Sequence, residues 1–113
     1  MKLVIAVIQP YKLDDVKEEL YKKGINLMTA SEVLGHGRQK GVTEVYRGNR
    51  ETGNMLRKIR LEIAVNEKFL KPCIEAIKKG AKTGEVGDGK IFVLGLEECV
   101  RIRTGETGGE AIG

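Results

Sequence analysis

A chain of 113 residues holds one domain with a single core and no room for a separate catalytic domain, so it reads as a module. Its 41% hydrophobic and 32% charged residues are ordinary globular composition, and the longest apolar run, Leu3 to Ile8, is far too short to span a bilayer. The net charge of +4 invites nucleic acid as a partner, but lysines and arginines are scattered among 16 acidic residues along the whole chain, so charge alone carries little.

In chain order, Lys2 to Gln9 reads as a strand that Pro10 ends by removing a ladder donor. From Lys12 to Lys23 the apolar residues Leu13, Val16 and Leu20 fall at helical spacing, Asp14 and Asp15 complement the dipole of the first turn, and Gly24 stops the helix. Leu27 to Leu34 is a second strand. Ile59 to Val65 is a third, alternating Ile59, Leu61, Ile63 and Val65 against Arg60, Glu62 and Ala64. A second helix opens at Asn66-Glu67 with a stripe of Leu70, Ile74 and Ile77, Cys73 beside them, and closes at Lys78-Lys79-Gly80; Pro72 places its regular start in question by a turn. Ile91 to Leu94 is a fourth strand and Val100 to Arg103 a short fifth. Two successive βαβ units of this kind fit an α+β, ferredoxin-like sandwich with both helices on one sheet face. The first strand is apolar on both sides, yet no third helix is predicted to cover the open face, so another copy of the chain is expected there.

Met1-Lys2 runs straight into the first strand without a small-residue cleavage site, which predicts no signal peptide and a cytoplasmic location. Cys73 and Cys99 are too far apart for a CxxC motif and read as two packed thiols. The single histidine, His36, rules out a multi-histidine metal cage.

Between the second and third strands lies a segment of about twenty residues, Gly35 to Asn54, where about two to five would connect adjacent strands. Its glycines and charges give it no face to bury, which points to a partner-binding arm. At its base, Gly35 to Gly41 can present backbone amides to an anion, and Gln39 offers a neutral oxygen of the kind magnesium accepts.

The stretch GEVGDGK, Gly84 to Lys90, has the glycine spacing of a P-loop, but Ile91 stands where that motif needs the magnesium-binding hydroxyl. The order is also reversed, since the loop follows a helix and precedes a strand. What remains is a glycine-rich loop that can approach a phosphate closely, Lys90 as a point charge, and Arg101 and Arg103 two residues apart on a predicted strand as a guanidinium fork. With no catalytic base or nucleophile nearby, the constellation reads as binding rather than turnover, and the chain as no enzyme.

TGEVGDGKIFV (Thr83 to Val93), RIRTGE (Arg101 to Glu106), GRQKGVTEVYRG (Gly37 to Gly48) and IQPYKLDDVKEEL (Ile8 to Leu20) together resemble the PII nitrogen-regulatory signalling proteins over essentially the whole length. The resemblance implies a ferredoxin-like homotrimer with a T-loop at about 37–55, a nucleotide loop at about 82–90 and a C-terminal segment at about 101–113. It implies ATP or ADP bound competitively in clefts between subunits, with 2-oxoglutarate beside Mg-ATP. Carried over, the nucleotide would meet Gly35, Gly37, Arg38, Thr83, Gly87, Asp88, Gly89, Lys90, Arg101 and Arg103, with Thr29, Glu62 and Ala64 at the adenine. Gln39 would ligate magnesium, the stretch Gly37, Gln39, Lys40 and Gly41 would receive 2-oxoglutarate, and Lys58 would pair with its distal carboxylate. Glu44, Tyr46 and Arg47 would engage a target such as an ammonium channel, another transporter or a nitrogen-metabolism protein, which would bring the protein to the membrane. Glu51 stands where some relatives carry a uridylylated tyrosine and Asn49 where others carry a phosphorylated serine, so neither modification is expected. Gln9 replaces a basic residue common near the 2-oxoglutarate carboxylate, and Ala64 is smaller than the usual branched residue. The competing reading is a ferredoxin-like nucleic-acid-binding module, against which the third strand offers no aromatic to stack on a base.

Overall fold

The computed structural model describes residues 1–37 and 55–113. The elements run β1 (Lys2–Ile8), a 3-10 turn (Pro10–Lys12), α1 (Leu13–Lys22), β2 (Thr29–Gly35), β3 (Leu56–Val65), α2 (Glu67–Ala81), β4 (Gly89–Gly95) and a one-turn α3 (Gly109–Ile112). The four strands form one antiparallel sheet in the order β2-β3-β1-β4. This is the expected α+β, ferredoxin-like arrangement.

The alternation in each strand decides which residues meet the helices. Val4, Ala6 and Ile8 of β1 and Ile59, Leu61, Ile63 and Val65 of β3 are buried, and with Val16 and Leu20 of α1 and Cys73, Ala76 and Ile77 of α2 they form one core. The opposite face carries Leu3, Ile5 and Val7 of β1, which are only partly buried, beside Phe92 and Leu94 of β4, which are 50% and 47% exposed. Of the two thiols expected to be packed, Cys73 is fully buried, with burial pushing it up to about 11, while Cys99 is partly exposed.

Several boundaries differ from expectation for identifiable reasons. α1 ends as predicted at Gly24: Gly24 N–H donates to Tyr21 and Ile25 N–H to Leu20, the paired bonds of a Schellman cap. α2 starts at Glu67 and runs through Pro72, which forfeits one helical donor; the buried stripe Cys73, Ala76, Ile77, Gly80 and Ala81 holds the helix across that gap. Cys73 thus sits on the central line of that stripe and Ile74 at its margin. Gly80, read as the helix stop, is instead a contact residue inside the helix, because a Cβ there would lie 2.6 Å from Val16 Cα of α1. β3 and β4 each begin earlier than expected, so that Gly89 and Lys90 belong to a strand rather than to the loop before it.

The predicted fifth strand, Val100 to Arg103, does not form. Val100 makes a single bridge to Thr107, and the chain between them closes into a turn in which Arg101 N–H donates to Glu106 and Gly105 N–H to Arg101. The alternation that suggested a strand has no core to bury against: Ile102 is 99% exposed.

The close approach at Gly80 gives a test. Gly80→Ala would gain about 1 kcal/mol of helix propensity but must push apart two backbones, an overpacking cost of about 1–3 kcal/mol. Chemical denaturation is expected to show a net loss of up to about 2 kcal/mol; a gain would contradict the packing of α1 on α2.

Candidate functional site

A cleft of about 610 Å³ opens at the end of the sheet where β1 finishes and β3 and β4 begin. Gly35, His36 and Gly37 form one wall, Val86, Gly87, Gly89 and Lys90 another, and Val7, Leu56, Lys58 and Phe92 the rest. The sheet register explains the grouping. Lys90 pairs with Val7 on the open face, Val7 pairs on its other side with Arg60, and Lys58 lies one alternation nearer the start of β3.

The glycine loop reaches this cleft because β4 starts against β1 with no side chain between them. At Gly89, whose φ is +114°, a Cβ would fall 1.9 Å from the Val7 carbonyl oxygen, so no other residue can pair there. The loop itself is held from behind. The Thr83 hydroxyl donates to Asp88 Oδ1, while Thr83 N–H and Gly84 N–H donate to Oδ2 at 2.8 and 2.9 Å. Glu85 N–H donates in turn to the Thr83 hydroxyl at 3.1 Å. Thr83 and Asp88 therefore act here on the loop's shape, and neither lines the cleft.

Lys58 ties the two walls: its Nζ donates to Gly87 O at 3.4 Å, and burial pushes its ammonium below the ordinary lysine value. The cleft is lined by two lysines, by His36, by glycine backbone and by apolar side chains, with no carboxylate among the described residues. Such a lining suits an anion with an apolar portion. Magnesium would find no protein carboxylate on these walls and would have to be held through ligand phosphate oxygens, as that ion commonly is.

The remaining sequence-predicted residues lie elsewhere in the chain. Thr29, Glu62 and Ala64 share the open face, with Thr29 and Glu62 as cross-strand partners, and the Glu62 carboxylate is taken by Arg60 at 3.0 Å. Arg101 lies farther still. Its Nη2 donates to the carbonyls of Glu110 and Ala111 in α3, and α3 is anchored beyond the end of β3, where Asn66 Nδ2 donates to Gly109 O at 3.2 Å. At about 3.3 Å per residue, Lys90, which the register sets level with Arg60, stands about 17 Å along β3 from the Val65 end. The Arg101 and Arg103 pair thus belongs to an exposed turn rather than to a strand, on the far side of the sheet from Lys90. Arg38, Gln39, Lys40, Gly41, Glu44, Tyr46 and Arg47 lie outside the described residues.

Sequence reasoning missed Val7, Leu56, Val86 and Phe92 as lining. The signal was present for Val7 and Phe92, since both fall on the apolar side of a strand that no predicted helix covers. His36 also lines the cleft, in the loop position expected for it.

The Asp88 clasp predicts a titration. The Thr83 hydroxyl, and after it the Thr83 and Gly84 amides, favour the ionised carboxylate and hold Asp88 below the ordinary aspartate value of 3.8. Because the folded value is depressed, the ordering of the loop is complete above 3.8 and is lost only as pH falls through the lower folded value. The Thr83 and Gly84 amide NMR shifts are expected to move together with a midpoint under 3.8, and Asp88→Asn to abolish that transition. A midpoint at or above 3.8 would mean that the clasp is not formed in solution.

Comparison with known proteins agrees with this architecture. The model of the family described as nitrogen regulatory protein P-II matches residues 1–106. The chain is 58% identical to the nitrogen regulatory protein GlnK1 of Methanosarcina mazei, covering 99% of this chain and 97% of that one. It is 52% and 49% identical to the nitrogen regulatory proteins P-II of Rhizobium etli and Rhodospirillum rubrum, in each case over 99% of this chain and 100% of the relative. From a four-stranded antiparallel sheet, a clasped glycine loop that follows a helix, and similarity over nearly its entire length, the chain belongs to the P-II nitrogen regulatory protein family.

Proposed function

We propose that this chain is a nitrogen signal transducer rather than an enzyme, binding ATP or ADP competitively between copies of itself in a homotrimer and taking up 2-oxoglutarate beside Mg-ATP. The carrying observation is the division of its candidate ligands into two halves. Gly35, Gly37, Lys58, Gly87, Gly89 and Lys90 meet in the cleft, whereas Arg101 and Arg103 stand at the opposite end of β3 and Thr29, Glu62 and Ala64 lie along the open face toward it. Lys90 stands about 17 Å along β3 from the end at which Arg101 is held, so one phosphate chain cannot be gripped by Lys90 and by both arginines of the same copy. A second copy can bring its arginines and its Thr29, Glu62 and Ala64 to the first copy's glycine loop. The exposed apolar residues of the open face, Phe92 and Leu94 among them, give that second copy a surface to bury.

On this reading Lys90, Arg101 and Arg103 neutralise the phosphates and the glycine amides approach them closely. Gln39 ligates the magnesium together with phosphate oxygens, 2-oxoglutarate lies against the backbone of residues 37–41, and Lys58 meets its distal carboxylate. The arm at 37–55, with Glu44, Tyr46 and Arg47, carries the signal to a transporter such as an ammonium channel or to a nitrogen-metabolism protein. An effector shifts that arm only through its differential affinity for the arm's two states. No helix of the described residues is long and apolar enough to cross a membrane, so membrane association on this reading runs through the target. A nucleic-acid role is disfavoured because, among the described residues, Phe92 is the one aromatic on the open sheet face.

Calorimetric titration with 2-oxoglutarate is expected to show binding with Mg-ATP present and none without it; nucleotide-independent binding would overturn the coupling. Gln39→Ala is expected to weaken 2-oxoglutarate binding at least about tenfold more than ATP binding, the scale of a lost metal ligand. Equal losses would remove Gln39 from the metal.

A further inference from the structure

Arg101 and Arg103 stand two residues apart in one exposed turn, but their surroundings differ. Arg101 Nη1 meets Glu106 Oε1 at 2.7 Å, the length of a charge-assisted bond, and the Thr104 hydroxyl donates to the same oxygen at 3.0 Å. Glu106 N–H donates back to the Thr104 hydroxyl at 3.2 Å. The backbone closes the same ring, with Arg101 N–H donating to Glu106 O at 2.9 Å and Gly105 N–H to Arg101 O at 2.7 Å. On the other side, Arg101 Nη2 donates to the carbonyls of Glu110 and Ala111 at 3.3 and 3.4 Å. Arg103 makes no hydrogen bond or ion pair with any described residue.

We infer that Glu106 is a positioning residue, which fixes the Arg101 guanidinium in advance for a phosphate of the bound nucleotide. The inference rests on the nucleotide reading above and adds to it a residue that makes no contact with the ligand. Two features separate positioning from mere stabilisation. Arg101 and Glu106 are 38% and 40% exposed, and ion pairs so open to water contribute little to folding stability. What such a pair does supply is order, because a free arginine loses much rotamer freedom when it binds, whereas one already held loses less.

The chemistry also distinguishes positioning from competition. A guanidinium has five N–H donors, and the three contacts made here fall on Nη1 and Nη2. Nε–H and at least one further N–H remain for phosphate oxygens, so the nucleotide need not displace Glu106. Arg103 must order itself on binding, and the two arginines therefore divide the work: Arg101 sets the register of the phosphate and Arg103 follows.

Full-length Glu106→Gln and Glu106→Ala proteins, titrated calorimetrically with ATP and by NMR shift perturbation with adenosine, test the inference. ATP binding is expected to weaken about tenfold in the Ala variant and about threefold in the Gln variant, which keeps an acceptor but loses the charge. Adenosine binding and the melting temperature of the unliganded protein should stay unchanged. In an Arg101→Ala background, Glu106→Ala should cause no further loss, because its effect passes through Arg101. ATP binding as tight as or tighter than wild type, an equal loss for adenosine, or an additional loss on top of Arg101→Ala would each overturn the role of Glu106. Absence of ATP binding by the wild-type protein would instead overturn the nucleotide reading itself.

Discussion

The constraint on which the molecule depends is that β1 is apolar on both sides while the described helices cover only one. Val4, Ala6 and Ile8 are almost wholly removed from water beneath α1 and α2, and at about 25 cal/mol per Å² they and their β3 neighbours supply the main driving force for the fold. The residues between them, Leu3, Ile5 and Val7, turn the other way and form a second apolar surface with Phe92 and Leu94. A strand of this kind is at home in a sheet covered on both faces. The proposal that copies of the chain associate over that face, and that the ligand site is completed there, follows from this one asymmetry.

The candidate ligand residues gather toward the ends of this sheet rather than in its core. At one end, the absence of a side chain at Gly89 lets β4 lie against Val7, and the Thr83 and Asp88 clasp gives the preceding loop its shape. At the other, the turn from Arg101 to Glu106 and the carbonyls of α3 gather around one guanidinium. Both offer fixed donors and positive charge in separate places, and on the proposed reading this makes the binding of a polyphosphate dependent on assembly.

Much of this was legible in the sequence, and the failures have physical causes. The strands and helices with strong periodicity emerged with the right type and order, because β1, β3 and α1 have an unambiguous apolar side. The fifth strand failed because Val100 and Ile102 alternate without any surface to pack on, so the short-range bonds of the turn prevailed. Gly80 was misread because a glycine stop and a glycine contact look alike until the neighbouring helix is in place. Residue chemistry singles out the glycine loop and Lys90, and family resemblance singles out Lys58; the register brings them to one cleft. The separation of Arg101 and Arg103 from that cleft was not legible from spacing, since their distance from Lys90 is a property of the topology.

The most direct test asks whether two copies complete one site. A Lys90→Ala chain and an Arg101→Ala, Arg103→Ala chain should each lose ATP binding as a homo-oligomer. Mixed oligomers of the two contain clefts in which an intact Lys90 from one chain faces intact arginines from the other. Calorimetry on the mixed assembly is predicted to recover ATP binding that neither parent has. If mixing restores nothing while wild-type chains bind ATP, the site lies within a single copy and the account is wrong.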